Sequence, residues 1–242
     1  MFHSISRPAW TALVGSIAAL ALSAAFEPVA RGQMELVDVA LDPGHSSWDV
    51  GATGAGLREY ELTLDLARRV QTRLERLGYT VRLSRDGPGR VADTLPADST
   101  RAVEAEQRAR HAASGPARAY VSIHFNGHPS PALRGTETYY NSDNFGEASG
   151  RLARALQEET LASIREADPS TPDRGFKEDL AAGKPYGHFF SLRGPFPGAL
   201  VEVLFLSNPV DAALAGDAAI RDRIADGISR GISRFLAEEE PL

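Results

Sequence analysis

The sequence predicts a single α/β domain, a twisted and mostly parallel sheet of about six strands flanked by helices, as in many phosphorylase- and hydrolase-like folds. Three observations lead there. The chain has 242 residues, enough for one sizeable α/β domain and too few for two full ones. Short apolar runs alternate with stripes at helical spacing along most of its length. No internal repeat is present, which sets aside solenoids and propellers.

Leu36 to Leu41 reads as the first strand. Leu62, Leu66, Val70, Leu74 and Leu77 then recur at helical spacing, and Gly78 stops that helix. Tyr79, Val81 and Leu83 alternate as a second strand. Asp86 to Asp98, with Pro88, Pro96 and two glycines, reads as a loop before a helix from about Thr100 to Ala113. Tyr120 to Phe125 is a third strand. Gly135 to Tyr140 is a fourth, because Thr136, Thr138 and Tyr139 favour extended backbone. A helix from about Glu147 to Arg165 follows, then a polar loop over Asp168 to Pro185. Phe189 to Leu192 and Ala199 to Phe205 supply two more strands. Asn208-Pro209 caps and opens a short helix. Ile220, Ile224, Ile228, Ile232 and Phe235 mark the terminal helix, whose Gly227 and Gly231 point to close packing on the sheet.

Residues 1–32 differ from the rest. Arg7 precedes an uncharged stretch from Trp10 to Phe26 rich in Ala and Leu, the layout of a secretory signal peptide. Cleavage fits after Ser23-Ala24-Ala25 or near Ala30-Arg31-Gly32. A stretch of about 17 apolar residues is at the short limit for a membrane span, so cleavage is favoured over an anchor. The expected mature domain is 33–242, exported to the periplasm or cell envelope, with no membrane span left after processing. The chain has no cysteine, which excludes disulfides and thiolate metal sites. Without residues 1–32, 24 basic residues face 31 acidic ones. Nucleic acid and anionic lipid are therefore poor partners.

In open α/β sheets, ligands bind beyond the carboxyl ends of the strands. His45 follows Val37-Asp38-Val39-Ala40-Leu41-Asp42-Pro43-Gly44, and His124 lies in Tyr120-Val121-Ser122-Ile123-His124-Phe125-Asn126. Glu59 opens the first helix, and Glu202 interrupts the apolar run from Ala199 to Phe205. Each residue alone is weak evidence. Their joint placement at one edge is a stronger signal. Two imidazoles and one carboxylate match the three-ligand, open-position arrangement of catalytic zinc. A spare carboxylate, Glu202, supplies a proton acceptor that can pass the proton to a departing amine. Iron would accept a similar triad, but the chain carries no redox motif.

These residues also carry a resemblance. Asp42-Pro43-Gly44-His45, Gly51-Ala52 with Gly54, Gly56-Leu57-Arg58-Glu59-Tyr60-Glu61-Leu62, Ser122-Ile123-His124-Phe125-Asn126 and Leu200-Val201-Glu202 with Phe205-Leu206-Ser207-Asn208-Pro209 occur in order. Between them lie Leu83-Ser84-Arg85-Asp86, Arg108, Gly135-Thr136-Glu137-Thr138-Tyr139-Tyr140 and Arg174-Gly175-Phe176-Lys177. The whole resembles the zinc-dependent N-acetylmuramoyl-L-alanine amidases with a type 3 amidase domain. The resemblance implies one Zn²⁺ held by His45, Glu59 and His124, and Glu202 as catalytic acid/base. The implied substrate is peptidoglycan or a muropeptide, and the implied bond joins the lactyl group of N-acetylmuramic acid to L-alanine. Any regulatory protein partner is left open.

The chain departs from the family pattern at Ser46-Ser47, where two glycines are usual, and at Leu204, where one is. The span from Asn141 to Arg174 has room for one ordinary helix and a loop, so no helix plugging the cleft is expected. Trp48 either lines the cleft or packs on its own loop, and Asn126 holds a substrate carbonyl or only the loop. Arg174 is a further substrate-binding candidate. Asp42 either orients the His45 loop or makes a plain turn. His128 is expected at the surface, and His111 and His188 in structural roles. Two rival functions remain: a zinc peptidase cutting within the stem peptide, and a non-catalytic wall-binding or activator module that keeps the fold.

Overall fold

The computed structural model of the protein describes residues 34–92, 94–143 and 145–239. The expected signal peptide lies outside them. The elements in chain order are β1 (Val37–Pro43), β2 (Thr53–Gly54), β3 (Leu57–Arg58), α1 (Glu59–Arg76), β4 (Val81–Leu83), α2 (Ser99–Ser114), β5 (Ala117–Asn126), β6 (Thr136–Tyr140), α3 (Gly146–Arg165), β7 (Asp173–Glu178), β8 (Gly198–Phe205), α4 (Pro209–Gly216) and α5 (Ala218–Glu238). Two short 3₁₀ segments, Asp179–Ala182 and Phe190–Leu192, lie between β7 and β8.

Six strands form one sheet in the order β4-β1-β5-β8-β6-β7. The first four are mutually parallel. β6 pairs antiparallel with β8 and parallel with β7. The sheet is therefore mostly parallel, as expected, with its last two strands reversed.

Side chains alternate across each strand, and the two faces are covered differently. Val39, Leu41, Val121, Ile123, Val201 and Val203 join α1, α3 and α5 in the larger core, with Leu66, Val70, Leu152, Leu156, Ile228 and Ile232 fully buried there. Ala40, Tyr120 and Leu200 face the other way, into a smaller cluster closed by Phe189 and Leu192. His124 and Glu202 have the parity of Tyr120 and Leu200, so they lie on this second, thinly covered face. α3 packs against α5 and the opposite face, so it does not plug the polar side chains.

Three expectations need correction. Phe189 to Leu192 is not a strand: its 3₁₀ turn buries Phe190 and Leu192 against the second face. A short apolar run reports burial, not backbone type. The sixth strand is instead Asp173–Glu178, inside the expected loop. As an edge strand it is largely polar and escapes a hydrophobic pattern. Gly227 and Gly231 pack on a helix rather than on the sheet, since a Cβ on either would come within 3.0 Å of α3 carbonyl oxygens, at Glu159 and Ala155. The tiny β2–β3 hairpin has no pattern to read, but Ala55 and Gly56 at its tip both have positive φ, 52° and 78°, as a tight hairpin turn requires.

Candidate active site

β1 delivers the chain to the sheet edge, and Gly44 turns it there. A Cβ on Gly44 would lie 2.4 Å from the His124 ring, so only glycine lets the two histidine segments approach this closely. His45 follows in the left-handed region, φ 62°. Its Nδ1 is 3.0 Å from the Asp49 carboxylate, which leaves Nε2 facing Glu59 at 3.3 Å. A carboxylate behind a histidine fixes its tautomer and orientation.

Beneath this loop lies a buried polar network. Asp42, fully enclosed, accepts hydrogen bonds from Ser84 Oγ (2.6 Å), Tyr120 Oη (2.8 Å) and Ser122 Oγ (2.8 Å) and faces Arg110 Nε at 3.3 Å. Burial opposes ionisation, but Arg110 and the hydroxyls outweigh it and hold Asp42 down at about 2. Arg110 also donates to the His45 carbonyl at 3.1 Å. Arg85 donates to the carbonyls of Pro43, Gly44 and Tyr60, with burial drawing its guanidinium down to about 10. Asp42 thus orients the loop and is no mere turn residue.

Glu59 is the first residue of α1. The helix start is tied to the loop, since Glu59 and Tyr60 donate their backbone N–H groups to Ala52 and Val50. The Glu59 carboxylate accepts from Ala52 N (2.6 Å) and Phe125 N (2.9 Å) and lies 2.9 Å from His124 Nδ1. A Cβ on Gly51 would stand 2.3 Å from Glu59 Oε2, which accounts for that glycine. Donor atoms of His45, Glu59 and His124 all lie within 4.8 Å of one another, and this set can hold a metal ion. Two imidazoles and a carboxylate, one histidine backed by Asp49, are the donor types that catalytic zinc takes.

Burial works against a charge on His45, but Asp49 and Glu59 prevail and push it up to about 10. Glu59 is held well below the usual carboxylate range, its burial overcome by the two histidines. His124 is lowered, chiefly by burial.

Glu202 is the direct register partner of His124 across β5 and β8. On its other side it pairs with Glu137 of β6. Glu202 Oε2 is buried without a hydrogen-bond partner. Burial, then the charges of Glu59 and Glu137, push its carboxyl well above the ordinary value. A carboxyl whose proton affinity is raised in this way can exchange a proton with a reacting group.

The profile of the N-acetylmuramoyl-L-alanine amidase family matches residues 39–234, and all four of these side chains fall inside that span. The chain belongs to this family. N-acetylmuramoyl-L-alanine amidase LytC of Bacillus subtilis (strain 168) is 34% identical over 194 residues, which cover 80% of this chain and 34% of LytC. The germination-specific N-acetylmuramoyl-L-alanine amidase of the same organism is 30% identical over 203 residues, 83% of this chain and 80% of that protein. This chain thus spans about a third of the first relative and four-fifths of the second. The solved catalytic domain of CwlV, an N-acetylmuramoyl-L-alanine amidase from Bacillus (Paenibacillus) polymyxa var. colistinus, superposes with a TM-score of 0.66 at 28% identity, covering 85% of this chain and 100% of that one.

Within this amidase fold, the remaining candidates separate. Asn126 donates to Glu137 Oε1 at 2.6 Å and accepts from Gly127 N, so its amide braces the site. Arg174 also reaches Glu137, at 2.9 Å, and lies over the Phe205 ring. Trp48 is 44% exposed at the rim of the His45 loop. Ser46 is buried and its Oγ accepts from Trp48 N, while Ser47 is exposed; the serine hydroxyl therefore ties the loop. Leu204 is fully buried in the larger core. His128 is at the surface, and His188 bridges Asp179 and Asp143. His111 stacks on Phe196. Arg108, part of the motif, is exposed and pairs with Glu104, and the buried arginine is Arg110.

Sequence reasoning missed Asp49, Arg110 and the role of Glu137. Asp49 carried one signal, its spacing of four from His45. Glu137 accepts from Asn126, Arg174 and Lys177 together, a convergence visible only once β6 and β7 are paired.

Proposed function

We propose that this chain is a zinc-dependent hydrolase of the amide between the lactyl group of N-acetylmuramic acid and the L-alanine of the peptidoglycan stem. One observation supports this above the others: Glu202, whose Oε2 is buried without a hydrogen-bond partner, sits in register with His124 of a His-Glu-His donor cluster. His45, Glu59 and His124 would hold the ion, which when bound polarises the amide carbonyl and acidifies a water molecule.

The other roles belong to the chain. Glu202 takes a proton from the attacking water and returns it to the departing amine nitrogen. Its burial raises the proton affinity of the carboxyl, which suits a group that takes up a proton before releasing it. Asp49 and Arg110 hold His45 in position through its Nδ1 and its carbonyl. Glu137 occupies Asn126, Arg174 and Lys177, which keeps these donors from pairing with Glu202. Trp48, exposed beside His45, would lie against the sugar on the acyl side.

Residues 1–32 are read as the export signal of a domain spanning 33–242 that acts in the periplasm or cell envelope. Among the described residues, no helix is long and apolar enough to cross a membrane. The test is product analysis on purified wall with the zinc-loaded protein. New N-terminal L-alanine with peptide-free glycan is expected. Cleavage between stem residues, or stoichiometric zinc with no turnover, would overturn the reading.

A further inference from the structure

Beside Glu202, on the β6 and β7 side, opens a cavity of about 250 Å³ lined by Asn126, Tyr139, Arg174, Lys184, Glu202 and Phe205 among others. Its charged lining consists of Arg174 and Lys184 with Glu137 and Glu202. Arg174 and Lys177 share the single carboxylate of Glu137. The Lys184 ammonium makes no hydrogen bond or ion pair among the described residues and stands 6.0 Å from the Phe189 ring centroid. Within this lining and among the described residues, Lys184 is thus the cation left without a carboxylate partner, Arg174 being held by Glu137.

The segment that presents Lys184 is held at several points. Asp179, fully buried, accepts from Phe189 N at 2.7 Å and lies 2.5 Å from His188 Nδ1. Arg193 donates to the carbonyls of Tyr186 and His188. Tyr186 stacks on Phe190 with centroids 4.6 Å apart. Gly187 N closes a turn on the Lys184 carbonyl at 3.0 Å. A lysine on a braced loop loses less freedom on binding an anion than one on a loose tail.

The direction of the chemistry decides which half of the substrate lies here. Glu202 hands its proton to the departing amine, so the amine half leaves on the Glu202 side and the acyl half on the His45 side. In a peptidoglycan stem, the residue after L-alanine is a γ-linked D-glutamate whose α-carboxyl is either free or amidated. We propose that Lys184, in the cavity that Arg174 also lines, is a carboxylate subsite for this second stem residue, so that the enzyme discriminates the free acid from the carboxamide. The inference rests on the amidase reading given above. An ammonium–carboxylate contact is among the stronger polar interactions, and a carboxamide presents half the acceptors and no charge.

The experiment compares two disaccharide tripeptides that differ only in a D-isoglutamate or D-isoglutamine second residue. kcat/KM is measured for the zinc-loaded wild type, Lys184→Gln and Lys184→Arg. The wild type is expected to favour the acid by about tenfold to a hundredfold, the range for a hydrogen bond to a charged group. In Lys184→Gln the acid-to-amide ratio falls towards one, and in Lys184→Arg most of it is kept. A wild-type ratio of one, or an unchanged ratio in Lys184→Gln, overturns the subsite while leaving the amidase reading intact. Failure to cleave the lactyl–alanine bond of either substrate overturns the amidase reading and the subsite with it.

Discussion

His124 and Glu202 are register partners on adjacent parallel strands, so the sheet itself sets an imidazole of the donor cluster beside a carboxyl whose Oε2 is buried. Glu137 continues the same row on β6. Strands in the middle of a sheet are among the least mobile parts of a protein, and a site built on them keeps its geometry better than one built on loops. The other two residues of the donor cluster need help to match this. His45 comes from a turn and Glu59 from a helix start, and both are pinned by Asp49, Arg85, Arg110 and the Ala52 amide.

Glu202→Gln is expected to lower kcat by about a hundredfold to ten-thousandfold, the usual worth of a positioned acid/base. Zinc content should stay at one per chain, since Glu202 lies outside the donor cluster. Turnover and metal analysis on one preparation check both parts. A variant with near wild-type kcat would remove Glu202 from the mechanism.

Gly44→Ala and Gly56→Ala separate crowding from backbone strain. At Gly44 a Cβ would lie 2.4 Å from the His124 ring; at Gly56, with φ +78°, it meets nothing within 4 Å. Gly44→Ala should weaken zinc binding by about tenfold or more, in the range seen when ligand-supporting groups are altered. Gly56→Ala should cost about 1 kcal/mol of stability from left-handed strain and leave zinc affinity intact. Competition with a zinc indicator, together with urea melts, gives both readouts.

His45, Glu59, His124 and Glu202 were legible in the sequence because each follows, opens or interrupts an element that its apolar neighbours announce. β1, β5 and β8 show themselves through runs buried on both faces, as in any parallel sheet. β7 did not, because Asp173, Arg174, Lys177 and Glu178 make an edge strand look like a loop. The supporting shell was hidden for a different reason. Asp42 meets Ser84, Arg110, Tyr120 and Ser122 across 42 to 80 residues of chain, and no local pattern encodes partners that distant. Arg108 and Arg110 are chemically alike, and only the helix phase decides which is buried.

The Asp42–Arg110 pair should prove a strong stability determinant when broken from one side. Both side chains are almost wholly buried, and removing one partner strands the other charge, typically at a cost of about 3–5 kcal/mol. Asp42→Leu and Arg110→Leu should each fall in that range by urea denaturation. The double substitution should cost less than the two singles together, because no charge is left unpaired. Additive losses would show that the pair is not coupled.

The last prediction concerns pH and the metal-free protein. His45 is raised from 6.5 to about 10, so the folded state keeps a proton that the unfolded chain sheds above 6.5. That contribution is complete below pH 6.5 and is lost as pH rises through about 10. Glu59 is depressed below its ordinary 4.5, so its contribution is present above that value and lost as pH falls. His124, lowered from 6.5 by burial, adds to the acid-side loss, because the unfolded chain takes up a proton that the folded one resists. The chelated protein should therefore be most stable around pH 6.5 and lose Tm towards pH 10. Zinc must displace the His45 proton to bind, so the loaded protein should not show this alkaline decline, and His45→Gln should flatten it in the chelated form. A chelated wild type whose Tm is level between pH 6.5 and 10, or a His45→Gln variant with the same slope, would show that Asp49 and Glu59 do not hold the His45 proton as their distances imply.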